Sequence, residues 1–272
     1  MPQPPIETGV LPSGHPFASI GDGSRHVLYV PGLSFDAAPS TSASIARSWK
    51  SWFDAIDEHD LTIVSVGRRA DLPPGSTGAD VADDYAAVIR ERWGDAVGVM
   101  GISSGGAYAQ WLAIRHPGLV ERLVLGFTAH RNDPDAMARQ NALVTHLLAG
   151  RWRAGYAQFG PWLLPRFPRL GSAVGWLVGP HLIGRYSDLR VLRIDAHADD
   201  THDTTDHLGR IQCPTLIVSG GRDLAYPRPL VADLVAGLPG ARHVEFPNAG
   251  HMGPGKPFAA IACAFLGAAD VS

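Results

Sequence analysis

The hexapeptide GISSGG at residues 101–106 stands between an apolar run and a run that reads as a helix. Such a stretch can cradle a phosphate, make a tight packing turn, or expose a serine as a nucleophile. Phosphate loops need G-x-G-x-x-G, or G-x-x-x-x-G-K followed by Ser or Thr, and neither pattern occurs here. A sharp strand-to-helix turn needs small residues two positions either side of its nucleophile, and Gly101 and Gly105 flank Ser103 in this way. The nucleophile is the favoured interpretation, with a packing turn as the alternative.

A serine hydroxyl reacts well only when a base removes its proton, and that base is usually a histidine oriented by a carboxylate. Asp223 follows a well-formed apolar run, and His251 lies between the last apolar run and the last helix-like run. The order Ser103, Asp223, His251 matches that of the nucleophile-elbow enzymes and differs from the orders of other serine hydrolase folds. Asp133 and Asp135, which follow an earlier run, are alternatives for the acid.

A second group of histidines and acids occupies residues 197–207. A helix carrying His202 and Asp206 would place both side chains on one face, as a metal site requires. Because this tract is polar, a solvated helix with no metal is the favoured interpretation.

Short β-branched apolar runs alternate with amphipathic stretches, which predicts an α/β fold with a largely parallel sheet and helices on its faces. The predicted strands are 26–30, 61–66, 96–100, 122–126, 215–219 and 243–246, with an edge hairpin at 8–11 and 17–20. The predicted helices are 40–58, 81–93, 104–116, 229–237 and 257–266.

The alternation stops after Gly126, and residues from about 130 to 207 contain helix-like segments rich in Pro, Gly and Trp. A structureless loop of that length is improbable inside a compact domain, so a helical insertion packed over the sheet is predicted. The expected organisation is a first core segment at 1–129, an inserted helical cap at 130–207 and a second core segment at 208–272.

In combination, these motifs resemble the α/β-hydrolase superfamily with an inserted cap. The resemblance rests on GISSGG at 101–106, GGRD at 220–223 and the pair Gly250 and His251, and it covers essentially the full length. It implies an eight-stranded, mostly parallel sheet flanked by helices. It also implies Ser103 as nucleophile, His251 as general base and acid, and Asp223 as the residue that orients the imidazole. No metal and no organic cofactor are expected.

The oxyanion hole of the superfamily uses the amide after the nucleophile, here Ser104, and an amide from the loop after an early strand. The second amide is assigned to Leu33. Many relatives carry His before the glycine of this loop, where this chain has Pro31. A second departure lies at residues 67–76, where relatives often carry a glycine-punctuated Arg-Gly motif in a loop that is structural in most members.

The expected function is hydrolysis of a carboxylic ester or lactone through an acyl-enzyme. The cap is rich in apolar side chains, most of them packed on the core, and Phe35, Tyr108 and Trp162 are the candidates for contact with an apolar substrate of moderate to large size. Peracid formation or carbon–carbon bond hydrolysis by the same triad is an alternative. A small-molecule receptor on a hydrolase scaffold is another.

Composition excludes other classes of partner. Charged residues make up 18% of the 272 residues and the net charge is -3, so no nucleic-acid partner is expected. The most apolar span, Trp162–Ile183, is interrupted by arginines and prolines and is not expected to cross a bilayer. With two cysteines and no secretion signal, the expectation is a cytoplasmic monomer or homodimer without a membrane partner.

Overall fold

The strands of the described residues form one mixed sheet. The computed structural model describes residues 4–33, 40–183 and 189–268. In these ranges the strands are β1 Ile6–Val10, β2 Pro16–Ile20, β3 Arg25–Val30, β4 Leu61–Val66, β5 Val97–Ile102, β6 Val120–Gly126, β7 Thr215–Gly220 and β8 Arg242–Phe246. Their order across the sheet is β1-β2-β4-β3-β5-β6-β7-β8. β2 pairs antiparallel with β1 and β4, and the remaining neighbours are parallel.

The central strands are continuous apolar runs because the sheet is covered on both faces. Every predicted strand is present, and the prediction of an eight-stranded, mostly parallel sheet is confirmed. β5 ends later than the predicted 96–100, because Ile102 still pairs with Gly126 of β6. This extension carries the backbone directly into the 101–106 hexapeptide at the carboxyl edge of the sheet.

Helices cover both faces of the sheet. Their bounds are α1 Ser42–Ser48, α2 Phe53–Glu58, α3 Gly78–Arg92, α4 Ser104–Arg115, α5 Pro134–Leu148, α6 Trp152–Leu163, α7 Pro168–Leu182, α8 Arg190–Asp200, α9 Arg228–Gly237 and α10 Lys256–Leu266. The apolar faces of α3, α4 and α9 share one buried cluster with the sheet. Those of α1, α2 and α10 share the cluster on the opposite face.

The single helix predicted at residues 40–58 is wrong, because the chain forms α1 and α2 with a turn between them. Trp49 ends α1, and the amide of Trp52 donates to the Trp49 carbonyl at 2.8 Å. Both indoles are buried, with ring centroids 5.2 Å apart. We attribute the break to this double burial, because tertiary packing of large side chains outweighs the weak helical propensity of the segment.

Helices α5 to α8 lie between β6 and β7, where the insertion was predicted. An isolated antiparallel bridge joins Arg131 to Asp203, close to the two ends of this segment. Helices α6 and α7 approach closely because glycines face each other: a Cβ added at Gly160 would lie 1.9 Å from the carbonyl oxygen of Gly171. No helix in the described part of the chain is long and apolar enough to traverse a lipid bilayer.

Candidate active site

Ser103 occupies a strained turn between β5 and α4. Its φ is 57° and its ψ is -129°, a backbone conformation that residues with a side chain rarely adopt. The Ser103 amide donates to the carbonyl of Gly126 at 3.0 Å, which ties the turn to the end of β6. The turn therefore holds the Ser103 side chain out at the carboxyl edge of the sheet.

The glycines on either side of Ser103 allow close backbone contact. A Cβ at Gly105 would lie 2.1 Å from the carbonyl oxygen of Val30, and one at Gly101 would lie 2.4 Å from the carbonyl oxygen of Gly105. Neither position has room for a larger residue. This is the steric reason for the small residues two positions before and after Ser103.

The structure brings Ser103, His251 and Asp223 together from three separate loops. His251 Nε2 lies 2.9 Å from Ser103 Oγ, and its Nδ1 lies 3.0 Å from Asp223 Oδ2. In the tautomer with hydrogen on Nδ1, the imidazole donates to Asp223 and accepts from Ser103. The loops after β7 and β8 are joined because the Arg222 amide donates to the carbonyl of Ala249 at 2.9 Å.

Backbone hydrogen bonds hold the Asp223 carboxylate in place. It is buried, and its Oδ1 accepts hydrogen bonds from the amides of Ala225 at 2.7 Å and Tyr226 at 3.2 Å, leaving Oδ2 for the imidazole. The alternative acid Asp133 caps α5 instead, accepting from the amides of Asp135 and Ala136. Asp135 is exposed in the first turn of α5.

Of the two residues assigned to the oxyanion hole, Ser104 follows Ser103 in the chain and Leu33 lines the same cavity as Ser103. Ser104 is the buried first residue of α4, where backbone amides point outward from the helix N-terminus. Gly32 lies against Ser103, since a Cβ added there would be 3.2 Å from Ser103 Cβ, and Leu33 follows it on the pocket wall. Phe35, predicted to contact substrate, lies outside the described residues.

A cavity of about 420 Å³ opens beside Ser103 and His251. Trp162, from α6, lies on its wall with its ring centroid 6.0 Å from that of His251. Tyr108, also predicted to contact substrate, has a fully buried side chain and is not among the described residues that line the cavity. Its position on α4 directs its hydroxyl toward α8 instead.

One wall of the cavity consists of aromatic rings that the sequence analysis did not identify. The rings of Tyr29 and Trp49 meet edge to face at 4.9 Å, and Trp49 contacts Trp52 at 5.2 Å. Phe258 of α10 completes the wall against Trp52 and Phe127, at 5.2 and 5.4 Å. The spacing of Trp49 and Trp52, three residues apart, was the sequence signal that could have indicated an aromatic wall. Only the packing of α1 against the sheet shows that both rings line the cavity.

Tyr226 is a further residue beside Ser103 and His251 that the sequence analysis missed. Its ring is buried, 5.7 Å from the His251 ring by centroid, and lies on the cavity wall. Burial and the nearby carboxylates of Asp199 and Asp223 raise the pKa of Tyr226 above its usual range, while a hydrogen bond with Ser103 opposes the rise.

A buried polar network lies behind the Ser103 turn. Arg68 Nε is 2.9 Å from Asp195 Oδ1, and the guanidinium stacks over the Tyr108 ring at 4.8 Å. Asp199, one helical turn after Asp195, accepts from the Ser104 hydroxyl at 2.6 Å. Burial, with a further contribution from Asp195, raises the pKa of Asp199 to about 7.

This network corrects the interpretation of residues 197–207 as a solvated helix, because Asp199 is buried and so is His202 just beyond α8. The missed signal was that Asp195 and Asp199 share a helix face with Val191 and other apolar residues of α8. Burial lowers the pKa of His202 to about 4, and its Nε2 lies 3.1 Å from the carbonyl oxygen of Ala129. In the described part of the chain, no group of three or more His, Cys, Asp or Glu side chains could hold a metal ion.

A family model described as the alpha/beta hydrolase family matches residues 27–264. A protein from Serratia proteamaculans (strain 568), named as the carbamate hydrolase RutD, is 27% identical over 75% of this chain and 78% of its own. A RutD protein from Klebsiella pneumoniae (strain 342) is 37% identical, but the match spans only 33% of this chain and 32% of its own.

Solved structures share the fold of this chain. An enol-lactonase from Burkholderia xenovorans LB400 superposes with a TM-score of 0.72 at 19% identity, over 96% of this chain and 99% of its own. A hydrolase from Pseudomonas aeruginosa PA01 superposes with a TM-score of 0.70 at 21% identity, over 97% and 98%. At these identities the similarity concerns architecture alone.

Proposed function

The chain belongs to the alpha/beta hydrolase family, and we propose that it is a serine hydrolase that cleaves a carboxylic ester or lactone through an acyl-enzyme. One observation carries the proposal: Ser103, His251 and Asp223 form a continuous hydrogen-bonded chain, and Ser103 and His251 line an apolar cavity. Nucleophile, base and orienting carboxylate each have the contact that this chemistry requires.

In the proposed acylation step, Ser103 Oγ attacks the carbonyl carbon while His251 Nε2 takes the hydroxyl proton. Asp223 keeps the other ring nitrogen protonated and stabilises the imidazolium. The amides of Leu33 and Ser104 donate to the developing oxyanion. When the tetrahedral intermediate collapses, the bond to the leaving oxygen breaks and His251 returns its proton to that oxygen, leaving an ester on Ser103.

Deacylation repeats these steps with water. His251 takes a proton from a water molecule, whose oxygen attacks the acyl carbon. Collapse of the second intermediate breaks the bond to Ser103 Oγ, and the imidazolium returns the proton to that oxygen. A lactone follows the same route, but its leaving alcohol stays attached to the acid product.

The cavity wall favours an uncharged, apolar acyl group. The described wall residues include no Asp, Glu, Lys or Arg, so a charged substrate would lose hydration without an ionic partner. The rings of Trp49 and Trp52 offer faces and edges to a planar group. A volume of about 420 Å³ suits a group of moderate size.

Carbamate hydrolysis is a second candidate, because the Serratia relative that matches three quarters of this chain carries that name. The acylation chemistry would be unchanged, since Ser103 would attack a carbamate carbonyl in the same way. A panel of ester, lactone and carbamate substrates with matched apolar groups separates the candidates by kcat/KM.

The proposal is tested by intact mass after incubation with a fluorophosphonate. We expect one phosphonyl adduct on the wild type and none on Ser103→Ala. Ser48→Ala is the matched control, because Ser48 lines the same cavity on α1 and the proposal gives it no base. Absence of any adduct on folded wild type would contradict the proposal and favour a small-molecule receptor on a hydrolase scaffold.

A further inference from the structure

Asp199 lies directly behind the Ser103 turn. Its Oδ2 accepts from the Ser104 hydroxyl at 2.6 Å and from Gln140 Nε2 at 2.8 Å. Ser104 is the residue whose amide is assigned to the oxyanion hole. The carboxyl group is therefore one side chain away from the position where negative charge would develop.

The charge balance around Asp199 favours its neutral form. Asp195 and Arg68 are the charged side chains that act on it among the described residues, and all three groups are almost completely buried. The guanidinium of Arg68 pairs with Asp195 at 2.9 Å. A second ionised carboxylate would give the buried cluster a net negative charge, which is costly in a low-dielectric interior.

The hydrogen-bond geometry also accommodates a proton on Asp199. Its Oδ1 lies 3.3 Å from the Tyr108 hydroxyl, which in turn lies 3.2 Å from Asp195 Oδ1. A proton on Asp199 Oδ1 can be donated to Tyr108, whose own proton is then donated to Asp195. Every member of this chain has a partner in that arrangement.

We propose that Asp199 is a positioning residue of the active site. As a neutral acid it fixes Ser104, and with it the oxyanion amide, and its ionisation weakens the site. This inference rests on the proposed function, because it assigns Ser104 a part in that reaction.

The effect of Asp199 ionisation on the rate follows from the distance between the carboxylate and the oxyanion. Two hydrogen bonds of about 3 Å and the span of one serine separate them by roughly 8 Å. At an effective dielectric constant of about 20, and with Arg68 opposing, a unit negative charge there would slow oxyanion formation on the order of tenfold.

The groups facing Asp199 come from every element packed against it. Ser104 and Tyr108 lie on α4, Gln140 lies on α5 and Asp195 lies on α8 itself. The remaining groups are Arg68 from the loop after β4, Tyr226 from the loop after β7, and Asn132, whose Nδ2 donates to the Asp199 carbonyl at 2.6 Å. Burial raises the pKa of Asp199, and Asp195 adds to this, so ionisation falls near neutral pH.

The test is the pH profile of kcat, from pH 5.5 to 8.5, for wild type and Asp199→Asn on an ester that turns over. Asparagine is isosteric with the neutral acid: its oxygen can accept from Ser104 and its NH₂ group can donate to Tyr108. We expect the ratio of kcat for Asp199→Asn to wild type to rise from about 1 at low pH to on the order of 10 at high pH. Asp200→Asn is the matched control, since this neighbouring exposed carboxylate pairs with Asn141 and should leave the ratio flat.

Three results would overturn the inference: a flat ratio for Asp199→Asn, a ratio that falls with pH, or loss of activity at every pH with the fold intact by circular dichroism. Ser104→Ala supplies a second variant. It breaks the link between the carboxyl and the turn, so kcat should fall in this variant at low pH, where Asp199 is neutral. An inert wild type would instead mean that the proposed function itself has failed.

Discussion

Replacement of Asp199 by asparagine should make the protein's stability less dependent on pH. In the folded protein the pKa of Asp199 is raised from 3.8 to about 7, chiefly by burial. Between these values the folded chain keeps a proton that the unfolded chain has lost. The free energy of unfolding therefore falls as pH rises from about 4 to about 7, and this contribution is constant above that range.

The size of the effect follows from the shift. A change of about three pH units, at about 1.36 kcal/mol each, gives a loss of about 4 kcal/mol for wild type across this window. Asp199→Asn has no such proton. Its stability relative to wild type should therefore increase by up to about 4 kcal/mol from pH 4 to pH 8.

Urea unfolding followed by tryptophan fluorescence at pH 4, 5, 6, 7 and 8 measures this difference. Subtracting the two proteins at each pH cancels the titration of groups that both contain. Asp200→Asn should track wild type, because Asp200 is exposed on the same helix. If the free energies of unfolding of Asp199→Asn and wild type change in parallel with pH, Asp199 does not hold the proton. A stability advantage of Asp199→Asn that shrinks as pH rises would refute it as well.

Three further variants test the site. Gly105→Ala places a Cβ 2.1 Å from a backbone carbonyl oxygen. It should lower esterase activity by on the order of 100-fold and should also lower the urea midpoint. Gly118→Ala, with open space at its Cβ, should leave the activity and the midpoint unchanged. Asp223→Asn should lower kcat by about 10⁴-fold by releasing the required imidazole tautomer; wild-type-like kcat would exclude its proposed role. Trp49→Leu should lower kcat/KM for an ester with an aromatic acyl group more than for the acetyl ester of the same alcohol. An equal loss for both esters would exclude an acyl-binding role for this wall.

The strands were predictable because their positions follow from local patterns. Continuous β-branched runs mark buried parallel strands, and the strand at 61–66 agrees with β4 at both ends. Glycines two positions before and after Ser103 predicted the turn. The contact distances at Gly105 give the steric reason, because a Cβ there would collide with backbone. A short-range pattern sufficed in both cases.

The parts that were missed depend on contacts between residues far apart in the chain. Arg68 and Asp195 pair across 127 positions, and neither residue shows its partner in its own neighbourhood. Residues 197–207 were predicted to be solvated because the tract contains many charged side chains. That prediction did not take into account which helix face carries each charge. Trp49 and Trp52 were assigned to one long helix, and their burial broke it.

The proposed reaction requires that Ser103 becomes covalently acylated during turnover. Rapid acid quench of wild type with an aryl ester, followed by intact mass and peptide mapping, tests this acylation most directly. We predict a mass increase equal to the acyl group on the peptide that contains Ser103, and none in Ser103→Ala. Steady hydrolysis with no adduct, or with an adduct on a different residue, would contradict the account.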